Sequence, residues 1–172
     1  MVSAPMLKAL NDQVQAEFYS GYLYLAMAAW FESKNLNGFA NWMRVQTQEE
    51  LAHGMIFYNF INNRGGEVKL AAIEAPPSEW ESPRKAFEDA YDHERKVTAR
   101  INKLMDQAIA ESDHATSAFL QWFVKEQVEE ELSASTIVNQ LKVSGDSPNA
   151  LFMLDREMAA RTFVMPAPLQ QA

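Results

Sequence analysis

Gln46–Asn63 reads QTQEELAHGMIFYNFINN, and its apolar residues recur three and four apart, the spacing of an amphipathic helix. Within it, Glu50 and His53 stand three residues apart and share one helix face. A carboxylate and an imidazole so placed can grip one metal ion together. By itself a Glu-x-x-His pair is a weak signal, since most such pairs lie on a helix surface. Three other long helical segments, however, offer carboxylate or amide groups at mid-length: Glu17, Glu94, and Gln127 with Glu130. As a set they predict a metal site inside a helical bundle.

Punctuation divides the rest of the chain. Pro5 suits a first helical turn, so a first helix is expected over 5–33. The second covers 37–64 and stops at Gly65-Gly66, a strong breaker. Ser82-Pro83 supplies a cap and a first-turn proline for a third helix over 82–111. A fourth is expected over 113–143 and a short fifth over 147–160, opened by Ser147-Pro148. The tail 161–172 holds two prolines and little pattern, and is expected to be irregular. No stretch alternates as a half-buried strand does, so the fold class is all-α and the chain one domain over 1–172.

The connections set the topology. The first and second helices are joined by a few residues, as are the third and fourth, which makes each pair antiparallel neighbours. About 16 residues separate the second helix from the third. At ~3.3 Å per residue that stretch spans ~50 Å, whereas a helix of about 28 residues is ~42 Å long. The connection can therefore run the length of the bundle. The result is a four-helix bundle with one long crossover.

Depth along the helices tests whether the candidate ligands can meet. Glu17, Glu50 and His53 all lie ~20–24 Å from the turn between the first two helices at 1.5 Å per residue. Glu94 and the Gln127–Glu130 pair sit at matching depth from the second turn. Glu17 is embedded in EFYSGYLYLAMAAWF, where a lone buried charge costs several kcal/mol and must be paired or metal-bound. Oxygen donors with one imidazole and no thiolate suit iron or manganese.

Bulk properties remove other classes. The chain has 172 residues, 48% of them hydrophobic, with a net charge of −8. Such an acidic balance argues against nucleic acid as partner. The absence of cysteine excludes disulfides, iron–sulfur clusters and thiol catalysis. No apolar run reaches membrane-span length, and MVSAPMLKAL lacks the layout of a secretory signal. A cytoplasmic location is expected, with an organelle lumen after removal of a transit peptide left open.

The stretches QVQAEFYSGYLYLAMA, QTQEELAHGMIFYNFI, YDHERKVTARIN and FLQWFVKEQVEEE resemble non-haem bacterial-type ferritins, over about residues 5–160. That resemblance implies the ferritin-like fold and a ferroxidase that oxidises Fe(II) with O2 and stores ferric oxyhydroxide in a cage of 24 identical subunits. It implies a first iron at Glu17, Glu50 and His53, with Glu50 bridging, and a second at Glu94 and Glu130 with Gln127 close by. Tyr24 corresponds to the family's tyrosine beside the centre. A third iron position corresponds to Glu49, Glu126 and Glu129, with Glu130 shared.

The chain departs from related patterns at several points. Gln127-x-x-Glu130 stands where symmetric di-iron proteins carry a second Glu-x-x-His, so the second iron is expected to be held more weakly. Leu51 follows the bridging glutamate where bacterioferritins place a haem-ligating methionine, so no haem is expected. Ser117 and Leu120 occupy the positions of the acidic three-fold channel of animal ferritins.

Several residues carry plainer readings. Trp30, Trp42 and Trp122 are expected in the core. His93, His114 and Glu131 are expected at the surface, and for Tyr24 packing and redox chemistry are both open. The fifth helix is expected to find no core within its own subunit and to pack around a symmetry axis. A non-catalytic metal-buffering cage and a substrate-oxidising di-iron enzyme are the alternative functions.

Overall fold

A computed structural model of the chain describes residues 2–145 and 147–170. Four long helices form the bundle: α1 (Ala4–Ser33), α2 (Asn37–Asn63), α3 (Pro83–Ala110) and α4 (His114–Ser144). Two short ones follow, α5 (Pro148–Met158) and α6 (Ala167–Gln170), and no strand occurs among the described residues. Local chemistry sets the ends. Ser3, Ser82, Asp113 and Ser147 each accept a backbone N–H in the first turn of the helix they precede, satisfying donors that a helix start leaves free. Past the end of α2, Gly65 adopts φ 72°, a left-handed conformation that costs glycine little.

The bundle is built of two hairpins, α1 with α2 and α3 with α4. Tyr24 meets Glu94 and Gln13 meets Arg100, so α1 and α3 run antiparallel and α2 is parallel to α3. That arrangement requires the long crossover, and its path is visible along α1. Asn11 bonds the backbone at Glu67 and Lys69, Gln15 Nε2 donates to the Ala72 carbonyl, and Trp80 closes edge-on against Trp30 at 5.9 Å. No helix among the described residues is long and apolar enough to cross a membrane.

Two apolar clusters fill the interior. One gathers Met27, Phe31, Phe39, Met43, Phe87 and Ile137; the other gathers Leu10, Phe57, Ile61, Ile101, Leu120 and Phe123. The glutamates at mid-length lie between them along the helices. Each cluster therefore seals one end of a polar layer.

Two features differ from expectation. The fifth helix does cover core of its own subunit: Met158 is buried, and Leu151 and Leu154 pack on the first cluster. The reason lies at the start of α2, where Leu36 offers no capping side chain. Asp155 of α5 takes that role, its Oδ1 accepting from the N–H groups of Gly38 at 2.8 Å and Phe39 at 3.0 Å. The tail is not wholly irregular either. Its α6 begins after Pro166, whose carbonyl accepts from Leu169 N–H, and Leu169 packs on the second cluster. The last two tail residues, 171 and 172, lie outside the described residues.

Candidate di-metal site

Glu17 and Tyr24 come from α1, Glu50 and His53 from α2, Glu94 from α3, Gln127 and Glu130 from α4. All seven are buried, Glu94 at 2% exposure, which settles its orientation in favour of the interior. Carboxylate oxygens of Glu17 and Glu50 and a ring nitrogen of His53 lie within 4.8 Å of one another. Oxygens of Glu50, Glu94 and Glu130 do the same. Glu50 belongs to both groups and stands between them.

Packing fixes the histidine. His53 lies edge-on to Trp122 at 5.5 Å and Phe123 at 5.8 Å, with Nδ1 3.5 Å from a Glu50 oxygen. Its Nε2 and Glu17 Oε2 are buried with no hydrogen-bond partner. Unpaired buried polar atoms are costly, and two of them at one carboxylate–imidazole cluster fit a site shaped for a cation. Trp122 is half-buried rather than fully in the core, one flank resting on the imidazole.

Burial sets the electrostatics. It is the largest influence on Glu17 and Glu94, with Glu50's charge adding to it, and both carboxyls are pushed up to about 8. Burial also pushes Glu50 and Glu130 up, with the charge of Glu130 adding at Glu50 and that of Glu94 adding at Glu130. Four carboxyls in so small a volume cannot all ionise without positive charge among them. The Tyr24 hydroxyl, donating to Glu94 Oε1, is raised well above its ordinary range by burial and by Glu94. It stays protonated.

Gln127 Nε2 donates to Glu94 Oε2 at 3.2 Å and to the Glu94 carbonyl at 3.3 Å. It thus braces a carboxylate. The residues expected around a third position are more spread out. Glu126 is half-buried and its oxygen lies close to His53 and Glu130, whereas Glu49 is half-buried and paired with Arg161, and Glu129 is exposed.

Besides Trp122, His93 and Glu131 stand elsewhere than expected, and two further residues at the site are unforeseen. His93 is not a free surface residue: its Nε2 lies 2.8 Å from the Ser20 hydroxyl and its ring is edge-on to Tyr24 at 6.0 Å. Burial, with Lys96 and Arg100 nearby, pushes it down to about 4. Glu131 is half-buried and accepts from the Thr98 hydroxyl at 2.5 Å. His114 is exposed. The unforeseen residues are Gln13 and Gln46, buried amides whose Nε2 groups donate to Glu17 and to Glu50 with Glu130. Each stands four residues before a glutamate on its own helix, a pattern legible in the sequence.

The bundle with its carboxylate–histidine layer defines a class, the helical carboxylate metalloproteins. Comparison narrows it: the ferritin-like domain family matches residues 7–143. A bacterial non-heme ferritin of Staphylococcus aureus (strain USA300) is 41% identical over 163 residues, 95% of this chain and 98% of that protein. One from Bacteroides fragilis (strain 638R) is 41% identical over 161 residues, 94% of this chain and 100% of that protein. The open-pore ferritin of the hyperthermophilic archaeon Archaeoglobus fulgidus superposes with a TM-score of 0.94 at 54% identity, covering 94% of this chain and 100% of that one. The chain belongs to the ferritin family, among its bacterial-type non-haem members.

Proposed function

We propose that the protein is a ferroxidase and iron store whose catalytic centre is the buried layer on α1–α4. The observation that carries this reading is Glu50 shared by two donor groups, each with its ligand atoms within 4.8 Å. Glu17, Glu50 and His53 take one Fe(II), and Glu50, Glu94 and Glu130 take the other. Both irons are substrate: they lose electrons to O2 and leave as ferric oxyhydroxide. Negative carboxylates favour the ferric state, which drives the oxidation. Gln127-x-x-Glu130 in place of a second Glu-x-x-His gives the second iron a weaker hold, and Tyr24 stands ready to supply an electron.

A third iron position is formed by Glu49, Glu126 and Glu129, with Glu130 shared; the closeness of a Glu126 oxygen to His53 and Glu130 supports it. The shell is a homo-oligomer, and 24 copies around a cavity in the cytoplasm complete the reading. Apolar side chains exposed on α4 and α5, among them Leu132, Val143, Phe152 and Met153, are the kind of surface that such contacts bury.

Stopped-flow absorbance tests this. The iron-free protein is loaded anaerobically with Fe(II) and mixed with O2. A fast phase saturating at two irons per subunit is expected, and Glu50→Gln is expected to abolish it. Slow uptake without a fast phase would reduce the protein to a metal-buffering cage.

A further inference from the structure

A guanidinium has five N–H donors and no acceptor. A glutamine amide packed against it must turn its oxygen toward the arginine and its NH2 group away. Two buried glutamines are held like this, one on each helix of the first hairpin.

On α1, Gln13 Oε1 accepts from Arg100 Nε at 3.0 Å, while Gln13 Nε2 donates to Glu17 Oε1 at 2.7 Å. On α2, Gln46 Oε1 accepts from Arg161 Nη1 at 2.9 Å. Its Nε2 donates to Glu50 Oε1 at 3.0 Å and to Glu130 Oε2 at 2.7 Å. Each arginine comes from a distant segment, Arg100 from α3 and Arg161 from the chain after α5. Both are anchored independently of the amide. Arg100 Nη2 donates to the Asp12 carbonyl at 2.7 Å. Arg161 lies over the Trp42 ring at 4.2 Å, donates to the Trp42 carbonyl at 3.3 Å, and pairs with Glu49.

We propose that Arg100 and Arg161 are positioning residues for the site, each acting through a glutamine that fixes how the metal-binding glutamates point. The inference rests on those glutamates being the ligands. Without the guanidinium nothing anchors the amide oxygen, so the side chain can tilt or swing away and take its Nε2 donor off the glutamate, which is then free to turn aside. The Arg161 arm is the stronger of the two, because Gln46 holds carboxylates from α2 and α4 at once. It also couples the site to the tail: an ion that takes Glu49 as ligand has to displace Arg161.

Anaerobic titration with Co(II), whose visible bands report ligand geometry without oxidation, tests the relay in the full-length protein. The parent, Arg161→Ala, Arg161→Lys, Gln46→Met and the double variant Arg161→Ala/Gln46→Met are compared, with a thermal melt of each. Arg161→Ala is expected to weaken Co(II) binding about tenfold, the scale for groups that orient ligands from outside, and to shift the bands. Arg161→Lys, which still donates to Gln46, is expected to recover part of the loss. Gln46→Met is expected to match Arg161→Ala, and the double variant to lose nothing more. Parent-like binding and bands in Arg161→Ala, or additive losses in the double variant, would overturn the relay alone. Failure of the parent to bind Co(II) would overturn the ligand assignment and the relay with it.

Discussion

The hydroxyl of Tyr24 on α1 donates to the carboxylate of Glu94 on α3, so an oxidisable ring is wired to a group of the proposed second metal position. Removing the hydroxyl leaves a buried carboxylate one donor short, which costs roughly 1–3 kcal/mol. Tyr24→Phe is therefore expected to melt lower. If the ring supplies an electron, freeze-quenched samples of the parent mixed with Fe(II) and O2 show a tyrosyl radical by electron paramagnetic resonance, and the variant shows none. A change in melting alone would confine Tyr24 to packing.

Gln127 braces Glu94 but brings no nitrogen ligand of its own. Gln127→His puts an imidazole on α4 one turn before Glu130, the nitrogen donor that the second position lacks. The expected result is tighter binding of the second metal by about tenfold or more, on the scale of changes around a metal shell, together with slower transfer of oxidised iron to the mineral. Competition titrations against a chelator and mineral growth followed by absorbance measure the two effects separately. Unchanged affinity would show that the amide does not set the hold on that iron.

A Cβ on Gly38 would lie 1.5 Å from the Asp155 carbonyl oxygen. Backbone on both sides leaves nothing that can swing away, so Gly38→Ala must push α5 off the start of α2. Lost packing and a lost cap predict about 1–3 kcal/mol of destabilisation, read by chemical denaturation. Protease cutting between α4 and α5 is expected to speed up as well. Parent-like stability would mean that α5 docks less closely than it stands here.

The site makes metal-free stability depend on pH in an unusual direction. Glu17 and Glu94 titrate about 8 when folded, against 4.5 for an ordinary glutamate. Between those values the folded chain holds more protons than the unfolded one. Stability therefore falls as pH rises from about 4.5 towards 8, the reverse of a salt-bridged carboxylate. Melting curves of the metal-free protein should show a downward slope of several degrees across that window. Saturating metal should flatten it, because the cation replaces the protons, and binding at neutral pH should release them. A rising slope without metal would contradict the burial of these carboxyls.

Glu50 and His53 were legible because a helix is a ruler: three residues apart means one face, and 1.5 Å per residue puts groups on four helices at a common depth. Helix ends were legible where capping chemistry is local, as at Ser82-Pro83 and Gly65. What escaped depends on partners distant in the chain. His93 touches Ser20, 73 residues away, and Asp155 caps Gly38, 117 residues away. No periodicity within α3 or α5 announces either contact. Gln13 and Gln46 fall between these cases, since their spacing to Glu17 and Glu50 is local while the reason for them, an arginine on the far side, is tertiary.

In the proposed centre two irons share Glu50, the residue common to both donor groups. The most direct test is a crystal soaked anaerobically in Fe(II), with anomalous scattering at the iron edge to locate the metals. Two peaks in the bundle are expected, one among Glu17, Glu50 and His53 and one among Glu50, Glu94 and Glu130, with a Glu50 oxygen on each. A single peak, or iron confined to the exposed acidic surface, would overturn the shared role of Glu50.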